Sequence, residues 1–389
     1  MNRIDVRERL GVAALLSQRK IRAHKQTGAA PLPTHIAERL RLSVRHPINV
    51  RRKAAPRALA FLTITFCLLL SAFCFLPSAH GSSWIRQPSG TMAWLHSVYF
   101  LDHDRGWVAG SNGTLLQTTD GGTTWKRMSL LTKDTLQDVY FADEKVGWLL
   151  GARDFLKLKA TEAPSYLLKT EDGGVSWRQV LLNPQDANTR LVQLVFSDPQ
   201  HGWVFGETGT VFATTDGGSH WIGQATATKH LLLGGAFSDS ARGCLVGAGG
   251  TIIHTNNGGT SWQPSIVRDG ANARLNAATF AGNRGWAVGT SGQIFTTIDG
   301  GRVWSLQRSN VVTDLLDVKF IDASEGWAVG AQGALLHTKD GGLQWSIEST
   351  ESPHLLERLF ISDRNHVWAV GFGGTILKLG ESSAPRLKG

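Results

Sequence analysis

Cysteine is nearly absent: the 389 residues hold three, and two of them, Cys67 and Cys74, sit in one apolar run. Cys244 is left alone in the remainder, so no disulfide framework can staple the chain outside that run. Phe66 and Phe73 precede the two paired cysteines, where a lipoprotein-type attachment site would place a small residue. Tyrosine is equally rare, at three, and charged residues make up only 18%. The chain also lacks a phosphate-cradling glycine loop, a zinc-spaced set of Cys and His, and a nucleophile elbow, so nucleotide-dependent, zinc-dependent and serine-hydrolase chemistries have no motif to stand on. No cofactor and no metal are expected.

A net charge of +9 looks like a nucleic-acid signal until its position is considered. Residues 1–57 carry 14 Lys and Arg against three acids, Asp5, Glu8 and Glu38, whereas the rest of the chain has 26 basic and 28 acidic side chains. The remainder is close to neutral, which leaves no basic surface on the scale nucleic acid requires. After the basic stretch comes an uncharged run, residues 58–77, about the ~20 residues needed to cross hydrocarbon. Arg51, Arg52, Lys53 and Arg57 precede it, and the next basic residue is Arg86. The asymmetry puts the N-terminus in the cytoplasm and the rest outside. Ala79-His80-Gly81 offers small residues for cleavage before Ser82, so the segment reads either as a single-pass anchor or as a signal peptide.

From residue 95 a unit recurs every ~42 residues: a strand ending in Phe, then Gly-Trp-Ala-Val-Gly, then Gly-Thr-Ile-Leu, then Asp-Gly-Gly-x-x-Trp. That period is the length of a four-stranded propeller blade. The box tryptophans are Trp125, Trp177, Trp221, Trp262, Trp304 and Trp345, and the longer first interval marks an insertion in the second unit. The seventh copy stops at Gly380 without a box, while Ser82-Ser83-Trp84 matches a final strand. The expected fold is therefore all-β, a seven-bladed β-propeller at 82–380 closed by its N-terminal strand, with a basic cytoplasmic tail at 1–57, a transmembrane or signal segment at 58–77 and a C-terminal tail at 381–389.

The boxes hold Asp120, Asp172, Asp216, Asn257, Asp299 and Asp340. An Asp that accepts backbone N–H groups, followed by Gly-Gly able to take positive φ, is a turn device, and Asn257 can serve the same turn without charge. These boxes look like those of bacterial neuraminidase repeats. Together with Gly-Trp-Ala-Val-Gly and Gly-Thr-Ile-Leu, the sequence more specifically resembles the photosystem II stability and assembly factor family over residues 82–380. The resemblance implies an extracytoplasmic, non-enzymatic propeller that binds newly made membrane-protein subunits and assists their assembly, photosystem II components where the host is photosynthetic; the chain itself is expected to be a monomer. The chain departs from that family in its long basic N-terminal segment and its lack of a lipobox.

Two alternatives belong to other classes. A sialidase-like glycosidase needs a nucleophilic Tyr with a carboxylate partner, but Tyr99, Tyr140 and Tyr166 all fall on repeat positions. A carbohydrate- or surface-binding propeller would need exposed aromatics, for which Trp94 and Phe155 are the candidates. The partner-binding face is sought where the repeats vary most: the insertion Ala152 to Ser165, with Arg153, Phe155, Lys157 and Lys159, and the connecting residues Arg190 and Arg274. One position of the innermost strands is assigned Ser97, Asp138, Gln193, Gly234, Ala277, Asp317 and Glu357, facing a central channel.

Overall fold

The computed structural model describes residues 84–159, 162–180, 182, 189–268, 273–350 and 352–380. The chain divides into two units, Met1–Leu76 and Pro77–Gly389, and the described residues lie wholly in the second. The basic tail and the run at 58–77 fall outside them.

The second unit is a seven-bladed propeller of antiparallel sheets. Blades 1 to 6 open with the innermost strands Leu95–Phe100, Thr135–Phe141, Leu191–Phe196, Leu232–Phe237, Leu275–Ala281 and Leu315–Phe320, each followed by three strands in sequence order. Blade 7 takes three strands from Leu356–Asp363, His366–Gly371 and Ile376–Leu379, and Trp84–Gln87 pairs antiparallel with the last, Trp84 opposite Leu379. The Trp84 indole N–H donates to Glu348 Oε2 in blade 6 at 2.6 Å.

The repeat motif is explained by how blades touch. In four blades the Phe that ends the innermost strand stacks flat on the Gly-Trp indole of the preceding blade: Phe100 on Trp368, Phe141 on Trp107, Phe237 on Trp203 and Phe320 on Trp286, at 3.4 to 3.8 Å between centroids, whereas Phe196 lies 6.2 Å from Trp148 and stacks on Tyr140 at 4.4 Å. Its edge meets the box tryptophan of its own blade, as Phe100 does Trp125. Offset and edge-on pairs of this kind add to the area they bury. The glycine before each Gly-Trp indole is fixed by the same ring, because a Cβ on Gly106 would lie 2.5 Å from Phe100. Blade 4 has Cys244 in place of the indole, and Phe280 of blade 5 has no such stack among the described residues. There the chain leaving blade 4 adds a fifth strand to blade 5, Ile266–Val267 pairing parallel with Val303 and Trp304.

Register corrects one expectation. Arg358, not Glu357, lies opposite Val370 as Ser97 lies opposite Ala109. Blade 7 lacks the Phe-over-Gly pair: Ile361 faces Val367, and Phe360 occupies the position of Tyr99. Aligning Phe360 with the stacking phenylalanines shifts the strand by one residue, which exchanges its two faces.

Candidate functional site

Up-and-down blades put the turn between second and third strands, and the connection between blades, on one side of the ring, with the Asp boxes on the other. Each box caps its own turn. In blade 2, Asp172 Oδ1 accepts the Thr170 hydroxyl (2.7 Å) and the Ser176 N–H (2.9 Å), and Oδ2 accepts the Ser176 hydroxyl (2.5 Å). These bonds, the Ser176 hydroxyl foremost, hold its pKa down at about 2. Asp120, Asp216, Asp299 and Asp340 repeat the Thr-to-Asp bond, and Asn257 accepts the Thr255 hydroxyl in the same way.

The polar channel position joins neighbouring blades. Ser97 Oγ accepts the Val139 N–H and donates to Asp138 Oδ1. Asp138 Oδ2 accepts the Leu194 N–H, Gln193 Oε1 that of Gly235, and Asp317 Oδ2 that of Leu359. Burial pushes the Asp138 carboxyl upward. Arg358 lines the same cavity of about 330 Å³, and Asp317 and then Asp138 favour its charged form against the burial that opposes it.

On the variable side, the insertion folds back on itself. Ala152 pairs with Ser165, Arg153 N–H donates to Pro164 O, and the Arg153 guanidinium lies 4.5 Å over the Tyr166 ring. The insertion and the connection into blade 3 enclose a cleft of about 750 Å³ whose lining includes Lys133, Arg153, Phe155, Lys157 and Arg190. A neighbouring recess adds Lys159 and Glu207. Five of the six expected binding residues are thus brought together. Arg274 is not among them: it occupies in blade 5 the position Arg190 has in blade 3, and its Nε donates to Asn276 Oδ1. Lys157 and Lys159 pair with Asp154 (3.3 Å) and Glu162 (3.7 Å). Such exposed pairs are worth ~0–1 kcal/mol and exchange readily for a partner's carboxylate. Arg190 and Lys133 make no side-chain hydrogen bond or ion pair among the described residues, and Phe155 is 76% exposed.

Among the described residues Tyr166 is the one phenol hydrogen-bonded to a carboxylate, donating to Asp134 Oδ2 at 2.8 Å, with Thr132 Oγ1 at 3.0 Å. Burial raises its pKa to about 12, the opposite of what a nucleophile requires. A residue that sequence reasoning missed is Phe372, which meets Trp94 edge-to-face at 5.6 Å. Both are exposed, at 49% and 38%. Phe372 stands where other blades have Ser, Ala, Glu or Thr, a deviation visible only after the short turns are aligned.

The fold and this face define an Asp-box propeller with a cationic and aromatic surface on the side away from the boxes. The family model described as photosynthesis system II assembly factor YCF48 matches residues 76–188, 224–310 and 302–377. The chain belongs to that family. A curated relative, the photosystem II assembly lipoprotein Ycf48 of Synechococcus sp. (strain CC9902), is 37% identical over 62 residues, which span 16% of this chain and 18% of that protein's length. Among solved structures, YCF48 bound to D1 peptide is 24% identical, with a TM-score of 0.64 over 78% of this chain and 96% of its own. YCF48 from Cyanidioschyzon merolae is 19% identical, with a TM-score of 0.63 over 77% and 99%. These two likenesses establish the shared fold. No helix among the described residues is long and apolar enough to cross a membrane.

Proposed function

We propose that the chain is a non-enzymatic scaffold that binds an acidic, partly apolar segment of a membrane-protein subunit on the blade 1–3 face and assists its assembly. The observation that carries this is the cleft itself: Arg190 and Lys133, cations without a side-chain partner among the described residues, line it beside exposed Phe155, in a member of the assembly-factor family. A solved relative bound to D1 peptide makes a photosystem II subunit the first partner to try. The propeller lies outside the cytoplasm, tethered through residues 58–77 or released before Ser82, and its ring is closed by Trp84–Gln87.

Crosslinking in intact membranes followed by affinity capture tests the proposal. It expects a discrete membrane-protein subunit, with crosslinks mapping to the 153–159 insertion, lost when Arg153 and Arg190 are both Ala. Recovery no greater than from a mock preparation would end it. A second reading, carbohydrate binding, is favoured by the exposed Trp94–Phe372 pair; glycan-array binding abolished by Trp94→Ala would select it.

A further inference from the structure

On the Asp-box side, the turn between the first two strands recurs with an Asp whose carboxylate accepts two backbone N–H groups and engages the residue three positions on. Asp102 holds Arg105, Asp198 holds His201, Asp239 holds Arg242, and Asp363 holds His366. In blade 7 a further group arrives that this turn does not account for. His103, from the equivalent turn of blade 1, reaches across so that its Nε2 lies 2.8 Å from Asp363 Oδ2, the oxygen from which His366 Nδ1 also stands 2.8 Å. The two imidazoles are stacked, 4.2 Å apart and 8° from parallel. All three donor atoms fall within 4.8 Å of one another.

We infer that His103, Asp363 and His366 form a binding site for a late first-row divalent metal ion such as Zn²⁺, clasping blade 7 to blade 1. Two imidazole nitrogens and one carboxylate oxygen select zinc-like ions over Mg²⁺ or Ca²⁺, which want oxygen donors throughout. Metal–ligand bonds of ~2.0–2.2 Å set ligand atoms roughly 3.3 Å apart in a tetrahedron, so the two contacts at 2.8 Å must open by about half an ångström and the exposed His103 ring must turn out of the stack, because two parallel imidazoles cannot aim both in-plane lone pairs at one ion. Asp363 is already oriented: Asn365 and His366 N–H groups donate to its Oδ1 at 2.8 and 3.1 Å, the outer contacts a ligand carboxylate uses. His103 is largely exposed, so the ion has an open path and water completes its coordination. The expectation from sequence that no metal site exists could not see this trio, since His103 precedes Asp363 by 260 residues and meets it only in the closed ring.

The test is calorimetric titration of ZnCl₂ into the tag-free full chain in detergent, with thermal unfolding measured alongside. The wild type is expected to bind one Zn²⁺ per chain and to melt higher with it. His103→Ala and His366→Ala should weaken binding at least about 10-fold and abolish the thermal shift, while His201→Ala, which removes an Asp–His pair without a second imidazole, should change neither. His366 lies against Trp368, so His103→Ala, at an exposed position, is the variant that decides if the other fails to fold. Zn²⁺ affinity and thermal shift in His103→Ala equal to wild type, or no binding by wild type, would overturn the assignment.

Discussion

Cys244 occupies the place of a tryptophan and is wholly buried, and burial pushes its thiol up to about 12. It is therefore inert toward alkylation in the native state. Peptide mass spectrometry after iodoacetamide should find Cys244 unmodified in folded protein and modified in denaturant; labelling of the native chain would contradict the packing described. The box carboxylates carry a pH consequence of definite sign. Asp172 sits at about 2 in the fold, below its ordinary 3.8, so the stability it contributes is present above pH ~4 and is lost as the pH falls toward 2. Thermal melts of wild type and Asp172→Asn should converge over that interval, the variant losing less on acidification. A pH dependence identical in both would show that the carboxylate carries none of the acid sensitivity.

At the scale of the element, most of each blade was legible because its residues repeat for local reasons: Thr and Asp make the turn, Gly admits the Phe ring, and Trp takes the next blade's Phe. Blade 7 was misaligned by one residue because it substitutes Ile361 and Val367 for that Phe and Gly, and the nearby Phe360 imitates the motif. Arg358 was missed for the same reason. The fifth strand of blade 5 was not legible either, since Ile266–Val267 is two residues long and belongs to no repeat motif. Ile266 N–H donates to Arg302 O at 2.8 Å. Ile266→Pro removes that bond where the Trp–Phe stack is missing and should cost about 1–3 kcal/mol, read from denaturant unfolding. A cost no larger than that of Ile266→Ala would mean that the extra strand adds nothing to the blade 4–5 contact.

For the whole molecule, the first and last strands of the propeller among the described residues, Trp84–Gln87 and Ile376–Leu379, meet in one sheet. Removing residues 1–88 takes away Trp84, its bond to Glu348 and the outer strand of blade 7, leaving Ile376–Leu379 as an unpaired edge. The truncated propeller should melt well below a form beginning at residue 78 and should self-associate in sedimentation. Equal stability and a monomer would refute closure by this strand. The working face was legible only as a location: variation between repeats pointed to 152–165, but the commitment of Lys157 and Lys159 to Asp154 and Glu162 and the separation of Arg274 depend on three-dimensional neighbours. The proposed function requires that face to be a peptide-binding surface. Fluorescence anisotropy with a labelled D1 peptide tests it directly, comparing wild type with Arg153→Ala/Arg190→Ala and with Arg274→Ala. Saturable binding that falls at least about 10-fold in the double variant, or ~1.4 kcal/mol, and is unchanged in Arg274→Ala is the predicted result; no binding, or equal binding by all three proteins, would contradict it.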